Sequence, residues 1–184
     1  MTAPNAFYFD LASPLAYVAA ERILHVLPGP VQWQPVLARR LGDEEPLDVE
    51  AIERSVQEHG LQPLRWPAEL PFDSALAMRA ATYAKSIGRT VPFAQAAFRQ
   101  AFAGGRSLSE PDNVLIAAAA CEMHPAAVLK GAELASVRAQ LDCATEAAAR
   151  AGVSNVPAVR VGTRVFAGAD CLERAAALGP VAAP

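Results

Sequence analysis

Charged residues make up only 19% of this sequence, aromatic residues only 7%, and cysteine occurs three times. Each scarcity excludes something. Cys121, Cys143 and Cys171 are too few and too widely spaced for a disulfide framework, and no CxxC pair occurs. His25, His59 and His124 are scattered without the spacing of zinc ligands, so no metal site is expected. Neither sign of charge dominates. Sixteen Lys and Arg against nineteen Asp and Glu leave a net charge of −3, which makes no electrostatic case for nucleic acid or anionic lipid. No uncharged run reaches the roughly 20 residues of a membrane span, and Met1 to Ala6 lacks the basic and apolar segments of a signal peptide. The expectation is a soluble cytoplasmic protein.

What the sequence has in quantity is apolar residues, 53% of 184 positions, much of it alanine. That length suits one domain with a real core and is short for two independent ones. Alanine favours helix but fills little volume, so such a chain should bury its surface through closely approaching helices.

Phe7-Tyr8-Phe9-Asp10-Leu11 is the densest aromatic cluster and reads as a buried strand. Ala12-Ser13-Pro14 then offers an N-cap serine with proline at the first helical position. Leu15 to Leu27 follows as an amphipathic helix stopped by Pro28-Gly29-Pro30, and Val31 to Val36 is a second strand. The order is that of a βαβ unit. Arg39 to Asp48 reads as an exposed loop. Helices are predicted over 49–59, 74–87, 92–103, 111–123, 125–130 and 133–151, separated by glycine and proline. Strand character returns in Pro157 to Val161, turns at Gly162-Thr163 and resumes in Arg164 to Phe166, before a short helix over Asp170 to Leu178 and a tail, Gly179 to Pro184, that should fray. The pattern is α/β: βαβ, a block of helices, then ββα. One sheet is assembled from 1–38 and 152–184, with 39–151 as an inserted helical domain.

Three places could carry chemistry. Ser13 opens a helix at the carboxyl edge of a sheet, where a hydroxyl backed by the helix dipole and free amides could stabilise an anion such as a thiolate; its plain role is that of a cap. No nearby His or Asp could deprotonate it in the manner of a hydrolase triad, so an acyl-enzyme serine is disfavoured. Pro157 starts a strand, which an edge proline does; a cis Val156-Pro157 bond would instead turn the Val156 main chain toward a peptide-like ligand. Asp170 is a first-turn charge or a partner for a ligand's ammonium group. Cys121 and Cys143, in Ala-rich helices, read as core residues, and Cys171 as a small buried helix residue.

Three motifs in order, Phe7-Tyr8-Phe9-Asp10-x-x-Ser13-Pro14-x-x-Tyr17, Gly152-Val153-x-x-Val156-Pro157 and Phe166-x-Gly168-x-Asp170-x-Leu172, resemble 2-hydroxychromene-2-carboxylate isomerases and kappa-class glutathione transferases. These belong to the DsbA-like branch of the thioredoxin superfamily. Leu70-Pro71-Phe72-Asp73-Ser74, Met78-Arg79-Ala80 and Glu110-Pro111 extend the likeness through nearly the whole chain. The resemblance implies a thioredoxin-like fold with a large all-helical insertion and a cis Val156-Pro157 bond. It implies that Ser13, in place of a redox cysteine, is the catalytic residue and hydrogen-bonds a thiol sulfur. Pro14, Val156, Pro157 and Asp170 complete the expected cofactor-binding set, Val156 through its backbone and Asp170 through a γ-glutamyl ammonium. Glutathione or another low-molecular-weight thiol is the cofactor so implied, a small conjugated electrophile the substrate, and a homodimer the assembly.

Ala167, Ala169, Ser154-Asn155 and Cys171 depart from the family pattern. Two other readings therefore stand beside the isomerase or transferase: a DsbA-family protein that binds thiols or peptides without catalysis, and a divergent thiol-disulfide oxidoreductase. Ser13 and Ala16 occupy the positions of the two thiols of a Cys-Pro-x-Cys motif, which argues against two-cysteine exchange there. The electrophile is expected between the Ser13 edge and apolar residues of 74–83 or 92–102.

Overall fold

A computed structural model describes residues 4–27, 29–42 and 46–178. Its sheet has four strands: β1 (Asn5–Phe9), β2 (Val31–Pro35), β3 (Ala158–Val161) and β4 (Arg164–Ala167), in the order β2-β1-β3-β4. β1 pairs parallel with β2 and antiparallel with β3, and β3 pairs antiparallel with β4. Both ends of the chain thus meet in one sheet, as the strand pattern implied. β1 reads as a continuous apolar run because both of its faces are covered. Phe7 and Phe9 enter the main core, whereas Ala6 and Tyr8 join Val36, Ala148, Val153, Val156 and Ala158 on the opposite face.

The parallel crossover from β1 to β2 is α1 (Pro14–Val26), started by the Ser13 cap with Pro14 in its first turn. Between β2 and β3 the chain runs through α2 (Val49–Glu58), α3 (Ala75–Ser86), α4 (Thr90–Phe102), α5 (Pro111–Ala120), α6 (Pro125–Glu133) and α7 (Ala135–Arg150), and it ends in α8 (Cys171–Ala176). Prolines open α5 and α6 in their first turns, where a missing N–H costs nothing. No helix among the described residues is long and apolar enough to cross a membrane.

Beyond small shifts at helix ends, such as α5 stopping at Ala120, three details differ from the sequence reading. Arg39 and Arg40, at the start of the expected loop, belong to a short 3-10 helix, Ala38–Arg40, with Arg40 paired to Asp142 and Glu146 of α7. The helix expected to stop at Lys130 continues to Glu133, because Gly131 is a packing residue: a Cβ there would lie 2.4 Å from the Tyr83 ring. Cys143 is exposed, not core. On α7 the buried positions are Val137, Leu141, Thr145 and Ala148, and residue 143 falls between two of them on the outer face. The Pro28 helix stop, the acidic residues 43–45 and the tail 179–184 lie outside the described residues.

Although aromatics are few, seven of them form one connected cluster. Phe7, Phe9 and Trp33 of the sheet reach Phe98 of α4 at 5.9 Å from Phe9, and Phe98, Phe102, Tyr17 and Phe72 continue it. This cluster joins sheet, α1 and α4 in a single core.

Candidate functional site

The turn between β1 and α1 accounts for its own donors. Leu11 N–H donates to Met78 Sδ at 3.2 Å, Ala12 N–H to Asp10 Oδ1 at 3.0 Å, and Ser13 N–H to the Asp10 carbonyl at 3.0 Å. Ser13 has extended backbone angles, φ −92° and ψ 113°, as a cap residue should. Its Oγ accepts the Ala16 N–H at 3.1 Å. Pro14 has no N–H to give, so the Leu15 amide is the first-turn donor left open among the described residues.

Ser13 Oγ still has its proton, and it points at the Val156 carbonyl oxygen 3.5 Å away. That is a long contact for a hydroxyl donor, and a proton so loosely held is easily redirected. The Val156-Pro157 peptide bond is cis, as is Leu70-Pro71. The Pro157 carbonyl accepts the Gly168 N–H at 2.9 Å, which fastens the start of β3 to the turn leaving β4. Gly168 has φ +98°, a conformation that L side chains rarely adopt. It leads to Asp170, the residue preceding α8, whose exposed carboxylate caps nothing and meets Arg174 at 3.4 Å.

The fold thus brings Ser13, Pro14, Val156 and Pro157 to one edge, and ties Asp170 to it through Gly168. The main residue missed from sequence is Asp10. It is 3% exposed, and its second oxygen, Oδ2, accepts the Ala38 N–H at 3.0 Å. Burial pushes its carboxyl above the ordinary value, against the opposing pull of the two backbone N–H groups, the Ser74 hydroxyl and Arg39. The available signal was an acid directly after an aromatic strand, three residues before a cap.

The two buried thiols are poor nucleophiles. Burial pushes the Cys171 thiol up to about 12, and raises that of Cys121 as well. The apolar residues expected to wall a substrate cleft divide. Met78 does reach the Ser13 turn, but Phe93, Phe98 and Phe102 are fully buried in the core. The outer face of α4, with Gln95, Arg99 and Gln100, instead lines a separate cavity of about 760 Å³ against α5, touching none of the five expected site residues. Arg99 is held there by Glu21 of α1 through two contacts, 2.7 and 2.8 Å.

With this geometry in place, the chain's residues 6–178 match the model of the DSBA-like thioredoxin domain. The chain belongs to that family. Its fold is similar to that of a 2-hydroxychromene-2-carboxylate isomerase, with a TM-score of 0.80 at 18% identity, covering 96% of this chain and 94% of that one. A "probable DsbA oxidoreductase" of Streptomyces coelicolor gives 0.72 at 20% identity, covering 95% and 87%. The cytosolic disulfide reductase DsbM of Pseudomonas aeruginosa, solved with GSH, gives 0.68 at 15% identity, covering 96% of each chain. No curated protein matches the chain. In this DSBA-like chain the segment from Asp10 to Ala16 carries a serine and a proline and no cysteine.

Proposed function

We propose that this DSBA-like protein is a thiol-dependent isomerase or transferase that takes glutathione or another low-molecular-weight thiol and acts on a small conjugated electrophile. The observation that carries the reading is the Ser13 hydroxyl. Its acceptor side is used by the Ala16 N–H, so its proton is the free valence, and only a 3.5 Å contact to Val156 restrains it. The donor set fits a sulfur anion: one O–H, the Leu15 amide and the positive end of α1. A bound thiol supplies a thiolate for reversible addition to a conjugated double bond. Ser13 holds its proton toward the sulfur and lowers the thiol's pKa. Val156 offers main-chain groups to a peptide-like ligand beside the cis-proline, and Asp170 lies along the same edge for an ammonium group. The neighbour solved with GSH is further support for a thiol ligand on this fold. A cytoplasmic location and a homodimer go with this reading.

One observation favours a rival, a non-catalytic thiol- or peptide-binding protein. Asp170 is engaged by Arg174, so the carboxylate assigned to a ligand ammonium already has a cation. Thiol-disulfide exchange is disfavoured, since the buried Cys171 thiol, at about 12, is protonated at neutral pH. Thermal shift with glutathione and other biological thiols, followed by thiolate absorbance against pH, separates the readings. Stabilisation by a thiol whose bound pKa rises in Ser13→Ala is the expected result. No stabilisation by any thiol ends the proposal, and binding with an unchanged pKa removes Ser13 from its role.

A further inference from the structure

We infer that Asp10 is the positioning residue of the Ser13 edge: its carboxylate is the shared clasp that holds Ser13 and Val156 at their separation. The inference rests on the reading of Ser13 as the working residue. Its geometry forms a closed ring. On one side, Asp10 Oδ1 and the Asp10 carbonyl take the N–H groups of Ala12 and Ser13 and so shape the turn that presents the hydroxyl. On the other, Oδ2 takes the Ala38 N–H and anchors the segment leaving β2. Four residues on, Gly42 packs so closely on the Ser154 carbonyl that a Cβ would lie 2.7 Å from its oxygen. Ser154 is two residues before Val156, whose carbonyl closes the ring at Ser13 Oγ.

Both oxygens must accept for both arms to hold. A protonated carboxyl, or an asparagine, turns one of them into a donor facing an N–H. The charged groups around Asp10 are few. Arg39 lies on the 3-10 segment and shares itself with exposed Asp73 at 3.4 Å, Arg40 is occupied by α7, and Ser74 brings a neutral hydroxyl. Because the native pKa is raised, the folded chain binds the Asp10 proton more tightly than the unfolded chain does. Stability therefore falls as pH rises from the usual carboxylate value through the raised one. Protonation favours the fold but withdraws an acceptor from the clasp. Stability and site geometry should answer pH with opposite sign, which a purely structural carboxylate would not produce.

The test needs no ligand. Amide NMR of the full chain is followed against pH in wild type and Asp10→Asn, with hydrogen exchange alongside. In wild type, the Ala12 and Ala38 amides should share one midpoint above the ordinary carboxylate value, and the Ala16 amide, which reports Ser13 Oγ, should move with it. In Asp10→Asn that midpoint should vanish, and exchange at Ala16 should rise about tenfold more than at Phe98. An Ala16 amide without the shared midpoint overturns the inference, as does an equal rise at Ala16 and Phe98. If the variant does not fold, the wild-type titration decides alone. A chain that passes this test yet binds no thiol keeps the clasp and loses the proposed function.

Discussion

The Ser13 turn and the helical stretch from Ala75 to Arg150 are held by opposite means. In the turn, each N–H from Leu11 to Ser13 has a particular acceptor, two of them on Asp10. In the helices, order comes from volume. Alanines at 77, 80, 81, 84, 94, 97 and 101 are fully buried, and Gly131 lets the Tyr83 ring lie against the α6 backbone. A region held by named acceptors can change when one proton is added. A region held by close packing responds to methyl groups and is indifferent to pH. The difference places adjustable chemistry at the sheet edge and rigidity in the helices.

The contrast yields predictions in order of size. Phe98→Ala removes the ring that links α4 to both Phe9 and Tyr17, and should cost about 3–5 kcal/mol in chemical denaturation. Gly131→Ala should cost about 1–3 kcal/mol despite alanine's better helix propensity, because the Tyr83 ring must move. Both losses should be the same at pH 5 and pH 8; a marked pH dependence would break the comparison. Ser13→Ala should cost about 1 kcal/mol through the lost cap, read in the same assay, and leave the α3–α7 amides at wild-type shifts. Glu122→Gly runs the other way. Glu122 follows α5 at φ +61°, with Met123 N–H returning to the Ala118 carbonyl, so glycine should stabilise by roughly 0.5–1 kcal/mol. Its exposed pair with Arg89 offsets little of that gain.

Legibility divided along the same line. Ser13-Pro14 announced a helix start because cap and first-turn proline are adjacent in the chain, and the Gly162-Thr163 hairpin is equally local. The sheet's assembly from both chain ends followed from the order of strand and helix patterns. What local sequence does not mark joins distant residues. Asp10 meets Ala38 across 28 positions, and Leu11 meets Met78 across 67. Gly131 looked like the end of a helix, since the Tyr83 ring that requires it lies on α3, and nothing in the residues around Cys143 marked which face of α7 points outward. The candidate site was half visible: Ser13, Val156 and Pro157 could be named, but not the carboxylate that spans between them.

The central place of β1 bears on how the chain must be made. Its parallel neighbour, β2, is synthesised soon after it, but its antiparallel neighbour, β3, begins only at Ala158. Until then, one edge of Phe7-Tyr8-Phe9 has no strand to pair with, while the helices from α2 to α7 are synthesised. An aromatic strand with an open edge is an invitation to association between nascent chains. The synthesis of residues 158–167 therefore decides more than a hairpin: it determines how long that edge stays available to a neighbour.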